Sequence, residues 1–161
     1  MSYCAAGILP VALWSGVPHV LLGSEPTPLG LRWLAFGGKR EPSDADAQET
    51  ALREYNEETG HALPIPELLS LRLYDFQAKY QLFIGIVPHQ VELPSFSDAD
   101  AERNPTLNKR ELRWFPLEQL LLGDSFELDG PFPVKPWFQR FVQRERYAIR
   151  RAVGLKLLGW V

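Results

Sequence analysis

Apolar residues follow two distinct rhythms along this chain. From Ala5 to Trp14 they run almost unbroken, Ser15-Gly16 supplies a turn, and a second apolar run covers His19 to Gly23. Two such runs around a tight turn predict a β-hairpin. Pro26 and Pro28 mark Glu25 to Gly30 as a loop, after which Leu31 to Phe36 reads as a strand leading into Gly37-Gly38. Over Leu68 to Phe76, Leu69, Leu71 and Leu73 alternate with Ser70, Arg72 and Tyr74, while Tyr80 to Val87 is apolar on both faces; both read as sheet strands. Glu111 to Phe115 predicts one more short strand, and Pro116-Leu117-Glu118 opens a short helix ending near Gly123.

Helical spacing governs two other stretches. Ser43 or Asp44 can cap a helix that continues to about Thr59, with Gly60 placed where a left-handed residue would end it. Val134, Trp137, Phe138, Phe141, Val142, Ala148, Ile149, Ala152 and Val153 recur at the period of a long C-terminal helix with one face in the core. Its other face carries Lys135, Arg140, Arg144, Arg146, Arg150 and Arg151. Residues 88 to 110, with Pro88, Pro94, Ser95, Ser97, Asn104 and Pro105, form the longest irregular stretch, and loops of that length are more often functional than idle. Strands interspersed with helices predict a mixed α/β fold, and the length suits one domain over residues 1–161.

Composition narrows the class. With 45% hydrophobic and 23% charged residues the chain matches soluble globular proteins. The N-terminal apolar run has no basic segment before it, is too short to cross a bilayer and is broken by Pro10, so it reads as a buried strand rather than a leader or an anchor. Cys4 is the only cysteine, which excludes an intrachain disulfide and a cysteine-built zinc cluster, and a reducing cytoplasmic compartment fits best. It reads as a small core residue rather than a nucleophile, since no His or basic neighbour activates it.

Charge changes the picture more. Residues 135 to 161 hold seven Lys or Arg against one acid, whereas residues 1 to 134 hold ten against nineteen. An acidic body attracts cations and repels a polyphosphate unless metal ions intervene. In GGKREPSDADAQETALREYNEETGHAL, from Gly37 to Leu63, the acids Glu54, Glu57 and Glu58 stand at i, i+3 and i+4, one stripe of the predicted helix. Like charges at that spacing repel, and a bound cation is the natural compensation. Oxygen-only donors of this kind suit Mg2+, with Mn2+ as a substitute, rather than zinc.

This segment resembles the Nudix box, the pattern G-x5-E-x7-R-E-U-x-E-E-x-G-U with U apolar. The resemblance runs from Gly38 to His61: Arg53, Glu54, Glu57, Glu58 and Gly60 fit, and Tyr55 takes an apolar position. Asp44 replaces the early Glu, eight residues instead of seven separate it from Arg53, and His61 takes the last apolar place. The resemblance implies an α/β/α sandwich around a mixed curved sheet, with this helix on one side and the C-terminal helix on the other. It implies a metal-dependent pyrophosphohydrolase in which water attacks phosphorus in a nucleoside diphosphate derivative. Glu54, Glu57, Glu58 and the Gly37 carbonyl would hold the metal, and Arg53 would orient Glu54. The family often adds a later acid as ligand or general base; Glu111, in ELRWFPLEQL, is the first candidate and Glu102 the second.

Substrate contacts are less marked. Trp33, Tyr74, Phe76, Tyr80, Phe83 and Phe96 could stack on a base, although aromatics on strands more often serve the core. Tyr80 and Phe96, each beside a predicted loop, are singled out for substrate binding together with Lys39. The basic C-terminal face could meet RNA, and it could equally be a solvated face that balances the acidic body. The alternative to an enzyme is a nucleotide- or RNA-binding protein of the same fold without catalysis. Both a monomer and a homodimer remain open.

Overall fold

The computed structural model describes residues 2–122 and 133–160. The predicted hairpin is its centre: β1 (Ala5–Trp14) and β2 (Val17–Thr27) pair antiparallel, with Trp14 opposite Val17 across the Ser15-Gly16 turn. Both turn residues have positive φ, 50° and 77°, as a two-residue hairpin turn requires. β2 runs on to Thr27, further than the predicted loop from Glu25 allowed. The stretch expected as one strand, Leu31 to Phe36, is two: β3 (Gly30–Leu34) pairs with β2, and β4 (Phe36–Lys39) pairs with β1. Ala35 is the crossover between them.

The remaining strands are β5 (Glu67–Asp75), β6 (Tyr80–Ile86) and β7 (Leu112–Pro116). β6 lies parallel to β1 and antiparallel to β5, and β7 pairs antiparallel with β2, so the sheet is mixed. The helices are α1 (Ala47–Glu58), α2 (Asp98–Arg103) inside the stretch read as irregular, α3 (Leu117–Leu121), α4 (Pro136–Arg144) and α5 (Arg146–Leu157). α3 ends at Leu121 with Leu122 as its C-cap, and Gly123, near which its end was expected, lies outside the described residues. No described helix is long and apolar enough to cross a membrane.

Alternation along the strands sorts the core into two layers. On one side, Ala47, Ala51 and Tyr55 of α1 pack on Ala6, Ile8, Leu21 and Phe36. On the other, Phe138, Phe141, Ile149 and Val153 of α4 and α5 cover Leu9, Val11, Leu22 and Trp33. Complete burial of side chains the size of Trp33, Phe138 and Phe141 contributes roughly 2 kcal/mol or more apiece. The result is an α/β/α arrangement.

Two further expectations change. The C-terminal helix is broken at Glu145, which ends α4 and starts α5 with φ −95° and ψ 11°. The apolar spacing continues across that break, which is why the pattern read as one helix. Cys4, expected in the core, is exposed: it precedes β1 and spends its backbone on Lys79 and Arg40.

Candidate active site

The acidic helix starts later than its sequence suggested. Asp46, not Ser43 or Asp44, is the N-cap, its carboxylate accepting from Glu49 N at 2.8 Å. Asp44 is instead drawn inward. Its Oδ1 and Oδ2 accept from Arg53 Nε at 3.0 Å and Nη2 at 2.9 Å, and Oδ2 also takes the Glu41 N–H and the Thr50 hydroxyl. Arg53 holds this carboxyl well below the usual carboxylate range.

Arg53 gathers the rest of the cluster. Its Nη1 lies 3.1 Å from Glu54 Oε1, 3.3 Å from Glu57 Oε2 and 3.4 Å from Glu41 Oε1, while Nη2 also donates to the Lys39 carbonyl at 3.1 Å. One guanidinium therefore ties the end of β4 to the loop holding Glu41 and Asp44 and to α1. Such a planar fork suits several carboxylates at once, which a lysine would not.

The α1 carboxylates differ in burial: the side chains of Glu57 and Glu54 are 24% and 15% exposed, and Glu58 is 1% exposed. Glu58 Oε1 accepts the Gly37 N–H at 2.7 Å, but its Oε2 is buried without a hydrogen-bond partner. Burial pushes this carboxyl up to about 8; the Lys109 charge opposes the shift, while Glu25 and Glu54 add to it. Burial also raises Glu54, against the pull of Arg53.

Gly37 and Gly38 make the close approach workable. A Cβ on Gly38 would overlap the Glu54 carboxylate, with Oε2 2.7 Å away, and one on Gly37 would stand 2.5 Å from the Tyr80 hydroxyl on the opposite side of the sheet. Residues at these positions must lack a side chain for both approaches to exist.

Three glutamates with oxygen donors, one of them buried with an unpartnered oxygen, fit a hard divalent cation. They do not already form a cage: among the described residues no three acidic, His or Cys side chains converge as an ion site. Arg53 engages Glu54 and Glu57, so an ion would share or take over those oxygens.

The other predicted site residues take separate settings. Glu111 binds Arg113, at 3.0 Å from Nε and 2.6 Å from Nη2. By alternation along the strand that pair lies on the Phe115 side, whereas Leu112 and Trp114 face the α1 layer. Glu102 sits exposed on α2. The Tyr80 ring is edge-on to Trp137 at 5.1 Å and to Phe141 at 6.2 Å, a core setting. Phe96 covers the C-terminal end of α1, its Cζ 3.0 Å from where a Gly60 Cβ would be. Lys39 is exposed beside the glycine pair.

Two groups near the acids carry no local sequence signal. Lys109, fully buried, donates to Glu25 Oε2 and to the Ala35 carbonyl. A lysine in a polar loop and a glutamate after an apolar run look solvated until the chain brings them together. The basic C-terminal face is also less free than its composition suggests: Arg144 pairs with Asp75, Arg150 with Glu118, and Arg146 stacks on Tyr147.

Comparison with known proteins bears on this arrangement. A family model described as NUDIX domain matches residues 9–138. A Nudix hydrolase from M. smegmatis, RenU, superposes with a TM-score of 0.61 at 22% identity, over 92% of this chain and 87% of that one. A C. elegans Ap4A hydrolase, solved as a binary complex, gives 0.59 at 16% identity over 97% and 99%. The NUDIX domain of Shewanella oneidensis NrtR, solved with ADP ribose, gives 0.54 at 17% identity over 94% and 88%. No curated protein sequence matches this chain significantly.

Proposed function

Because the chain belongs to the Nudix family, we propose that it is a metal-dependent pyrophosphohydrolase acting on a nucleoside diphosphate derivative. The observation that carries this reading is Glu58, buried on α1 with an unpartnered Oε2 beside Glu54 and Glu57. A purely structural helix gains nothing from an orphaned buried carboxylate, whose desolvation costs about 1–3 kcal/mol or more. The same group is an asset once a cation arrives.

In this reading Glu54, Glu57, Glu58 and the Gly37 carbonyl hold Mg2+ or Mn2+. When bound, the ion supplies a more acidic water and neutralises charge on the diphosphate. The chain's own residues prepare the site. Arg53 holds Glu54 and Glu57 and is itself fixed by Asp44, and the backbone of Gly37 orients Glu58 through its N–H. Glu57, the most exposed of the three, is open to water and substrate. Water attacks one phosphorus, the bridging P–O bond breaks, and the leaving phosphate departs with the bridging oxygen. Glu111, joined to Arg113 on the other side of the sheet, is the weaker candidate for proton acceptor, so the α1 carboxylates come first.

The substrate class follows the relatives, one named an Ap4A hydrolase and one solved with ADP ribose, both compounds being nucleotides. The test is a Mg2+-dependent hydrolysis screen over nucleoside diphosphate derivatives, run on the wild type, Glu57→Gln and Glu58→Gln. Turnover should fall by about two or more orders of magnitude in both variants, as losing a hydrogen-bonded or ligating group at a charged transition state does. Equal rates in all three proteins would remove the site from the reaction. A wild type that turns over no diphosphate compound would move the assignment to nucleotide binding without catalysis.

A further inference from the structure

Lys109 closes the irregular segment that precedes β7, and its side chain is fully buried. Its Nζ lies 3.2 Å from Glu25 Oε2 and 3.0 Å from the Ala35 oxygen, and 5.6 Å from the Phe36 ring centroid. A buried ammonium is costly unless paired, so its partners need a reason to be there. Ala35 is the crossover residue between β3 and β4, placed between the two strand registers. Its carbonyl stands one residue before Phe36, which packs on Tyr55 of α1, and two before Gly37, whose N–H is held by Glu58. Glu25 and Gly23 share one face of β2, and Gly23 leaves room for the lysine stem: a Cβ there would lie 2.7 Å from Lys109 Cδ.

We infer that Lys109 is a positioning residue of the carboxylate site, latching the segment before β7 to the backbone crossover that presents Gly37 and Gly38 to α1. The inference rests on the metal-dependent reading above. Three donors on one ammonium let a single side chain hold an acid from β2 and a carbonyl from the β3–β4 junction together. No residue of α1 is needed for that hold, so beyond the direct reach of its charge to Glu58, Lys109 acts on Glu54 and Glu58 through the glycine pair. A lysine acting instead as a mere rival cation would leave the backbone where it is.

The two roles predict opposite signs. Mn2+ binding is followed by the loss of the free-ion paramagnetic resonance signal, in Lys109→Met, which keeps the stem and removes the ammonium, and in Gly23→Ala, which displaces the stem without changing any charge. Circular dichroism at the assay temperature selects proteins that are folded. Lys109→Met should weaken Mn2+ binding about tenfold, the usual effect of removing a group that orients metal ligands. Gly23→Ala should weaken it in the same direction by a smaller factor, with kcat falling more than KM changes.

Unchanged Mn2+ affinity in folded Lys109→Met would make the lysine a stability element only and overturn the inference. Tighter binding would identify a rival cation and overturn it as well. If Lys109→Met does not fold, Gly23→Ala decides alone, and wild-type affinity and turnover there would overturn the latch. A wild type that binds Mn2+ but hydrolyses nothing defeats the enzyme reading while the same titration still judges Lys109. A wild type that binds no Mn2+ overturns the latch as stated, and the hydrolysis screen judges the enzyme reading on its own.

Discussion

The α1 face and the α4–α5 face are both rich in charge, yet they handle it in opposite ways. On the C-terminal helices, cations meet acids borrowed from elsewhere: Arg150 lies 2.8 Å from Glu118, Arg144 3.2 Å from Asp75 and Lys156 2.7 Å from Glu67. The Arg150 and Lys156 pairs are open to solvent, and water screens them, whereas Arg144 reaches from solvent to the buried Asp75. On α1 a single Arg53 faces Asp44, Glu41, Glu54 and Glu57, and Glu58 is left with a buried oxygen that nothing meets. A cation with an acid to meet is settled; an acid left buried and unmatched is waiting for a partner. Counting charges along the chain cannot separate the two, because the count omits the acids that arrive from β5 and α3.

The contrast can be broken first at Asp44. Replacing it with Ala removes a bidentate partner of Arg53 and the acceptor for Glu41 N and Thr50 Oγ1, so thermal or urea unfolding should show a loss of about 3 kcal/mol. A loss below about 1 kcal/mol would mean that Arg53 is held well enough by its other acids.

Next comes the pH dependence of metal-free protein. Burial pushes the Glu58 carboxyl from its ordinary 4.5 up to about 8, so the folded state binds this proton more readily than the unfolded one. That contribution is complete below the unfolded value and is lost as pH rises through the folded one. Stability should therefore fall between about pH 5 and pH 8, by at most about 1.4 kcal/mol per pH unit. Glu58→Gln should flatten the slope, and an equal slope in that variant would assign it to another group. Asp44, held low, acts with the opposite sign: its contribution is present above its ordinary value and fades in more acid solution.

The smallest effect belongs to the other face. Arg150→Ala should change unfolding free energy by about 1 kcal/mol or less and leave turnover untouched. A large loss of turnover there would erase the distinction between the two faces.

How far the sequence could be read follows from the same physics. The hairpin was legible because Ser15-Gly16 is a local turn signal, and the end of α1 because Gly60 takes the left-handed conformation, with φ 64°. The α1 carboxylates were legible because i, i+3 and i+4 spacing is a property of one helix. What was not legible depends on distant chain. Asp44 serves Arg53 rather than the helix cap because Asp46 takes the cap and leaves Asp44 to turn inward. The β3–β4 division depends on β1 and β2 diverging around Ala35. Lys109 is a core residue only because Gly23 vacates space for it, and Tyr80 is an aromatic of the core because α4 covers it.

The glycine pair on β4 has one more consequence. At Gly37 and Gly38 the protein is a single backbone thick: the Tyr80 hydroxyl rests against it from the α4 side and the Glu54 carboxylate from the α1 side. Here the partition has been thinned to its peptide plane, and each glycine answers to a different layer: a larger residue at Gly37 would need a concession from Tyr80 and the β1 backbone, and one at Gly38 from Glu54.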